Sequence, residues 1–490
     1  MHLRETIAWT TPSSHPEERR SAVSQLLASS TSRFSLLMGI FLLFYLVHEH
    51  PQFQVRDGQL SAQVPLLPIS MVTWHTCGWI LFSGALWALL SSHPHAPTLT
   101  NEKGICRTAI TVVALVFAIE VLARLSISGF LGFEQYLNAT WILMLTGGGV
   151  AFLGFLWLRP PSPLMLSALL FGGGALIRVI WFAFITPTPQ HTDHLFVIDL
   201  GLQRFMAGET PYAYFDFGTH TNPMPYLPWT FLSYFPPFIA GLDLRMTSFV
   251  LSLALLGAFW MVFRALSLSP SVRDQLMLAL GVLYILPISI SLDEQTEFAP
   301  YNLMLVLTFG LIALRQFQLA AVAYGFALGS MTVGLFCAVP LLCFALRTLP
   351  WRQVVRLGVI VGGVAGTPIL IFLIWDAHAF WWAVSYVPRE AWGALDQGLW
   401  AAGPWNTIVW HALGGWLRLV QVGFFLLFTV LVWRRLRTVY DLIVLSAGGY
   451  LALVLSGPYV GPHLVQVVIF LTVLAEAVGA AESDTTRLDV

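Results

Sequence analysis

The sequence predicts an all-α polytopic membrane protein with about 14 transmembrane helices, within a range of about 12–15. Three observations carry that expectation. Of the 490 residues, 57% are apolar and only 10% are Asp, Glu, Lys or Arg. A soluble globular chain carries roughly 25% charged residues, so these charges are too few to cover a water-facing surface. The apolar residues gather in runs, and about 20 of them suffice to cross a bilayer. The 24 Lys and Arg fall unevenly between those runs. A soluble enzyme, a disordered chain and a nucleic-acid binder are excluded. Cys77, Cys106, Cys337 and Cys343 lie in or beside apolar runs and make neither a disulfide nor a metal framework.

In chain order the runs cover 34–48, 66–91, 108–128, 139–158, 164–186, 246–266, 274–291, 301–315, 318–333, 335–347, 354–375, 413–433, 438–456 and 462–480. The first follows a polar arm with Arg4, Arg19, Arg20 and Arg33, and reads as an uncleaved first span. The pair 318–333 and 335–347 is short and also fits a re-entrant hairpin. Tyr226–Asp243 is apolar, but Pro225, Pro228, Pro236 and Pro237 crowd it. It reads as a short helix in the outer leaflet. Charge placement supports that choice. With the N-terminus inside, 17 of the 24 Lys and Arg fall on the cytoplasmic side, among them Lys103, Arg159, Arg264, Arg347, Arg434, Arg435 and Arg437. A full span at 226–243 would invert everything after it. Both termini are therefore expected in the cytoplasm. Residues 1–160 form an N-terminal four-span region, and 161–490 hold two long outer loops, 187–245 and 376–412.

The first long loop is the richest in chemistry. Pro187 and Pro189 end the fifth run, and His191-Thr192-Asp193-His194 follows. Leu195, Leu202 and Met206 then recur at helical spacing, with Phe196 and Phe205 beside them. The pattern predicts an amphipathic helix on the membrane surface, ended by Gly208. Asp193 sits between a span and this helix, where a carboxylate can meet a lipid-borne phosphate ester and a polar acceptor together. Two other readings stand beside that one. Thr192 or Asp193 can cap the helix. His191, Asp193 and His194 can ligate a metal, with His220 as a distal fourth group.

The order of further motifs extends the first reading. After Asp193 come Gly208-Glu-Thr-Pro-Tyr212 and Tyr226-Leu-Pro228-Trp. Asp293-Glu294-Gln295-Thr-Glu297 and Asn302 follow, then Gly325-Phe-Ala-Leu-Gly329 with Pro340, Arg347 and Arg352. Ser456-Gly-Pro458-Tyr459 and His463 open the last run. In this order, residues 165–475 resemble GT-C-type membrane glycosyltransferases. They are most similar to glycosyltransferase family 87, the polyprenyl-phosphate-mannose-dependent mannosyltransferases. Ser330-Met331-Thr332 stands where that family often carries a basic residue.

The resemblance implies a GT-C-like core with two large outer loops. It implies an inverting hexosyltransferase of the cell envelope, with its active site on the outer face of the cell membrane. The donor would be a polyprenyl-phosphate sugar, mannose or another hexose, and the acceptor a lipid or glycan. Asp193 would be the catalytic base. The candidate substrate-binding residues are His191, His194, Asp199, Tyr212, Tyr226, Arg178, Glu294, Gln295, Arg389, Trp392 and His463. The departing phosphate needs a cation, and the one Lys lies in the other part of the chain, so Arg178 and Arg389 are the candidates. Arg178 falls inside a span, where an uncompensated charge costs about 2.5–3.5 kcal/mol on insertion scales. It must face a substrate, a polar cavity or a partner on another span. Trp392, with Trp381, Trp382, Trp400 and Trp405, offers faces for sugar rings, although Trp also anchors at interfaces. The turn holding Asp293, Glu294 and Glu297 is expected to be solvated; it can also close the site or hold a divalent cation. No cofactor is required and no fixed metal site is expected. Membrane lipids are expected partners and nucleic acid is not. Glu120 and Arg124, four residues apart, fit an intrahelical pair.

Two other classes stay open on the residues alone. A transporter or flippase for a lipid or glycan is compatible with Glu120, Arg124 and Arg178 inside spans. A non-catalytic membrane scaffold is compatible with the aromatic loop. The gathering of polar residues in outer loops, rather than at the midplane on repeated broken helices, favours the transferase.

Overall fold

Where the structure describes them, the apolar runs fold as helices, the form that satisfies backbone polar groups without water. The computed structural model describes residues 30–49, 54–56, 59–61, 71–91, 101–131, 149, 151–184, 193–216, 221–295, 297–385, 416–456 and 462–488. Helix α1 (Ser30–Glu49) precedes a short antiparallel ribbon, β1 (Gln54–Arg56) and β2 (Gln59–Ser61). Next come α2 (Met71–Ser91), α3 (Glu102–Leu131), helical residues 151–158, and α4 (Pro163–Phe184). Helix α5 (Asp193–Met206) leads into a second ribbon, β3 (Tyr214–Asp216) with β4 (Thr221–Pro223). Two short helices with proline in the first turn follow, α6 (Pro228–Ser233) and α7 (Phe235–Ile239). Then come α8 (Arg245–Ala265), α9 (Pro270–Ile285), α10 (Pro287–Gln295), α11 (Ala299–Ala313) and α12 (Phe317–Ser330). A 3-10 turn (Thr332–Cys337) joins α12 to α13 (Ala338–Thr348), and α14 spans Trp351–Val384. The chain ends with α15 (Trp416–Arg435), α16 (Val439–Ser456) and α17 (Pro462–Leu488).

Among the described residues, four helices are long and apolar enough to cross a membrane: Pro163–Ala183, Arg245–Ala265, Trp351–Val384 and His463–Ser483. Several shorter apolar helices accompany them. The protein is mostly helical and membrane-associated in character. Burial separates two kinds of helix. In α17, 89% of the apolar window is buried, so this helix is a central post. In α14 only 11% is buried, and Val359, Ile374 and Trp381 lie exposed. An apolar face of that extent suits lipid rather than water.

Three local expectations are refined. The two ribbons add strands to a chain expected to be all-α, because Pro and turn residues break the helices there. The expected 274–291 span is two helices, since Pro287 removes a donor and α9 ends at Leu286 in extended backbone. The segment assigned to the second outer loop, 376–412, starts in helix. There the backbone leaves helical geometry at Asp376 alone (φ −153°, ψ 88°), and the chain stays helical to Val384. Asp376 Oδ1 accepts from Ala379 N at 2.9 Å, so this residue caps a new helical stretch.

Close packing needs glycine at two places on α12. A Cβ at Gly325 would sit 2.7 Å from Val364 Cβ, and one at Gly329 would sit 3.2 Å from Ala365 Cα, both on α14. The Gly-rich stretch thus lets two helices approach. Nearby, Pro368 cannot donate to the carbonyl of Val364, four residues earlier in α14. Trp229 of α6 donates to that carbonyl instead, Nε1 to O at 2.8 Å. Thr230 donates to the carbonyl of Ser330 at the end of α12, at 2.7 Å. At the other end of the bundle, Arg33 of α1 grips Glu476 of α17 through both oxygens, with Nε at 2.8 Å from Oε2. Its Nη2 also donates to the Leu89 carbonyl at 3.2 Å.

Candidate functional site

Helix α5 carries the site's first wall. Leu195, Val197, Ile198 and Leu202 are buried and hold it against the bundle. It ends as expected at Gly208, whose φ of +77° is cheap only for glycine. Gly208 N donates to the Phe205 carbonyl and Glu209 N to the Arg204 carbonyl, which completes the cap. Asp193 is the first helical residue; its side chain lies outside the described positions.

One residue on, His194 faces two groups from distant stretches. Its Nδ1 lies 2.5 Å from the Tyr226 hydroxyl and 3.0 Å from Glu297 Oε2. The second contact is a charge approach rather than an in-line hydrogen bond, because no donor aligns with that oxygen among the described residues. Glu297 is only 2% exposed, whereas about a third of the His194 side chain is exposed. A buried carboxylate beside an accessible imidazole can exchange protons with a polar ligand. His463, at the start of α17, stands with its ring 6.3 Å from that of His194 and 4.5 Å from that of Phe298.

The expected solvated acidic turn is overturned. Asp293 and Glu297 are both buried, at 9% and 2% exposure. Phe298 and Pro300 beside them are buried too, so these residues pack into the bundle. Asp293 meets Arg178 of α4, Nε to Oδ2 at 2.7 Å. Arg178 Nη1 donates to the carbonyls of Gly174 and Tyr284, and the guanidinium stacks over the Tyr284 ring at 3.8 Å. The Tyr284 carbonyl belongs to the last turn of α9, which is where a cation is favoured. Arg178 is fully buried, so the reading of a pairing with another helix accounts for its charge. Beside this pair, Asn302 Nδ2 donates to Gln466 Oε1 at 3.0 Å, joining α11 to α17.

The remaining candidates divide clearly. Tyr212 is buried, and its hydroxyl donates to the Tyr226 carbonyl at 3.1 Å. Burial pushes that phenol well above its ordinary range, so it stays a donor that braces Tyr226. Asp199 lies one turn along α5 and accepts from Gln203 at 2.8 Å. Partial burial raises its carboxyl, and the Gln203 bond partly offsets that. Glu294 and Gln295 occupy the end of α10, but their side chains lie outside the described positions, as do those of Glu120 and Arg124. His191, His220, Arg389 and Trp392 lie outside the described residues. Among the described residues, no group of three or more His, Cys, Asp or Glu converges to hold a metal ion.

Sequence reasoning under-rated Asp293 and Glu297. The signal was the flanking Phe298-Ala299-Pro300, an apolar helix start that draws the turn inward. No protein family, curated protein or solved structure matches this chain.

Proposed function

We propose that the protein is a membrane glycosyltransferase that moves a hexose from a polyprenyl-phosphate donor to a lipid or glycan acceptor on the outer membrane face. One observation carries the reading. The stretches that resemble family 87, separated by up to about 270 residues, supply His194, Tyr226, Glu297 and His463 to one cluster at the start of α5. The resemblance supplies the chemistry. A carboxylate at Asp193 takes the proton of the acceptor hydroxyl. The hydroxyl oxygen attacks the anomeric carbon, and the lipid phosphate leaves with the bonding pair. The same reading takes the long and short apolar helices as about 14 crossings, with both termini in the cytoplasm.

The test is transfer of labelled hexose from a polyprenyl-phosphate donor to membrane lipid by the full-length chain in vesicles. Transfer is expected from the wild type, and Asp193→Asn should abolish it while the protein still purifies folded. Retained transfer in that variant removes Asp193 as the base. A second reading, a transporter, draws on the buried Arg178–Asp293 pair, since ionisable groups inside a bundle often mark a solute path. Solute uptake without sugar transfer would select it.

A further inference from the structure

Arg178, Asn302 and Ser289 meet around one small cavity, and their bonding leaves a pattern that water alone completes. A guanidinium has five N–H donors. Arg178 uses Nε on Asp293 and Nη1 on the Gly174 and Tyr284 carbonyls. Its Nη2 is buried and meets no acceptor among the described residues. Asn302 spends Nδ2 on Gln466, and its Oδ1 meets no donor there. Ser289 Oγ is also buried without a partner among them. All three residues line a cavity of about 30 Å³ between α4, α8, α9, α10, α11 and α17, with Asp293 and Gln466 on its wall.

We propose that this cavity is an intramembrane hydration site holding about two ordered waters, given roughly 10–15 Å³ for each. The chemistry selects the ligand. A cation is repelled by Arg178. An anion finds that charge already met by Asp293 at 2.7 Å. A water accepts from Arg178 Nη2 and donates to Asn302 Oδ1 or Ser289 Oγ, so it serves both sides at once. Buried polar atoms are satisfied in the large majority of cases, by protein or by ordered water. The waters tie α4 to α10 and α11, and they keep the Arg178–Asp293 pair ionised within an otherwise apolar bundle.

X-ray radiolytic footprinting of the full-length chain in lipid nanodiscs tests this, because bound water generates hydroxyl radicals next to buried side chains. Phe470 and Tyr284 line the cavity, whereas Phe309 and Tyr324 are buried and do not line it, and the Tyr324 hydroxyl already donates to the Gly334 carbonyl. The expected result is several-fold faster modification of Phe470 than of Phe309, and of Tyr284 than of Tyr324. Filling the cavity by Asn302→Leu should bring the rates together. Ser289→Val, a smaller change, gives the same reading if the first variant fails to fold. Equal rates in the wild type, or rates that neither filling lowers, overturn the proposal. An anomalous bromide peak in the cavity of bromide-soaked crystals also overturns it, in favour of an anion.

Discussion

Replacing Trp229 by Phe probes how this bundle tolerates a proline inside its longest helix. Pro368 leaves the Val364 carbonyl without its helical donor, and the Trp229 indole supplies the replacement at 2.8 Å. The variant keeps an aromatic ring against Phe326, now 4.5 Å away between centroids, and removes the N–H. The carbonyl is then left unmade in apolar surroundings, at a cost of about 1–3 kcal/mol. Pro368→Ala restores an N–H that reaches Val364 from within α14. In the Trp229→Phe background it should therefore recover about 1 kcal/mol or more, while in the wild type the same change has little to repair. The assay is reversible unfolding of the purified chain in mixed micelles for all four members of the cycle. Independent sites add within about 0.3–0.5 kcal/mol. Additivity within that margin, or a neutral Trp229→Phe, would refute the argument that the indole substitutes for the missing helical bond.

Other outcomes follow from the same contacts. Glu476→Ala strands the Arg33 guanidinium in a buried place and should cost about 3–5 kcal/mol in unfolding measurements, whereas Arg33→Met with Glu476→Leu should recover most of that loss. Gly329→Leu forces α12 off α14 and should cost about 1–3 kcal/mol, read as a lower thermal midpoint. Asp199 is raised in the folded protein, so the native state holds its proton more tightly than the unfolded chain does. Its contribution to stability is complete below the ordinary carboxylate value and is lost as pH rises through the raised one. Asp199→Asn should flatten the stability profile across that window, and an unchanged profile would count against the burial argument.

Helix positions were legible in the sequence because their determinants are local. The prolines at 270, 287 and 462 start helices, and Gly208 stops α5 where the pattern placed its end. The apolar runs show where helices form because periodicity and capping act within a few residues. The cluster at the start of α5 was only half legible. His194, Tyr226 and His463 are separate candidates in the sequence, but nothing local says that they meet.

Charge was the feature that the sequence determined only in amount. It showed that few charged residues are present and that most basic ones lie between apolar runs. The tertiary structure decided which of them are paired. Arg178 finds Asp293 115 positions away, and Arg33 finds Glu476 443 positions away. It also turned Asp293 and Glu297 from expected solvated positions into buried ones. The physical reason is that a charge enters an apolar bundle only where a partner from another helix arrives to meet it. That arrival depends on how the helices pack, which no local stretch of sequence records.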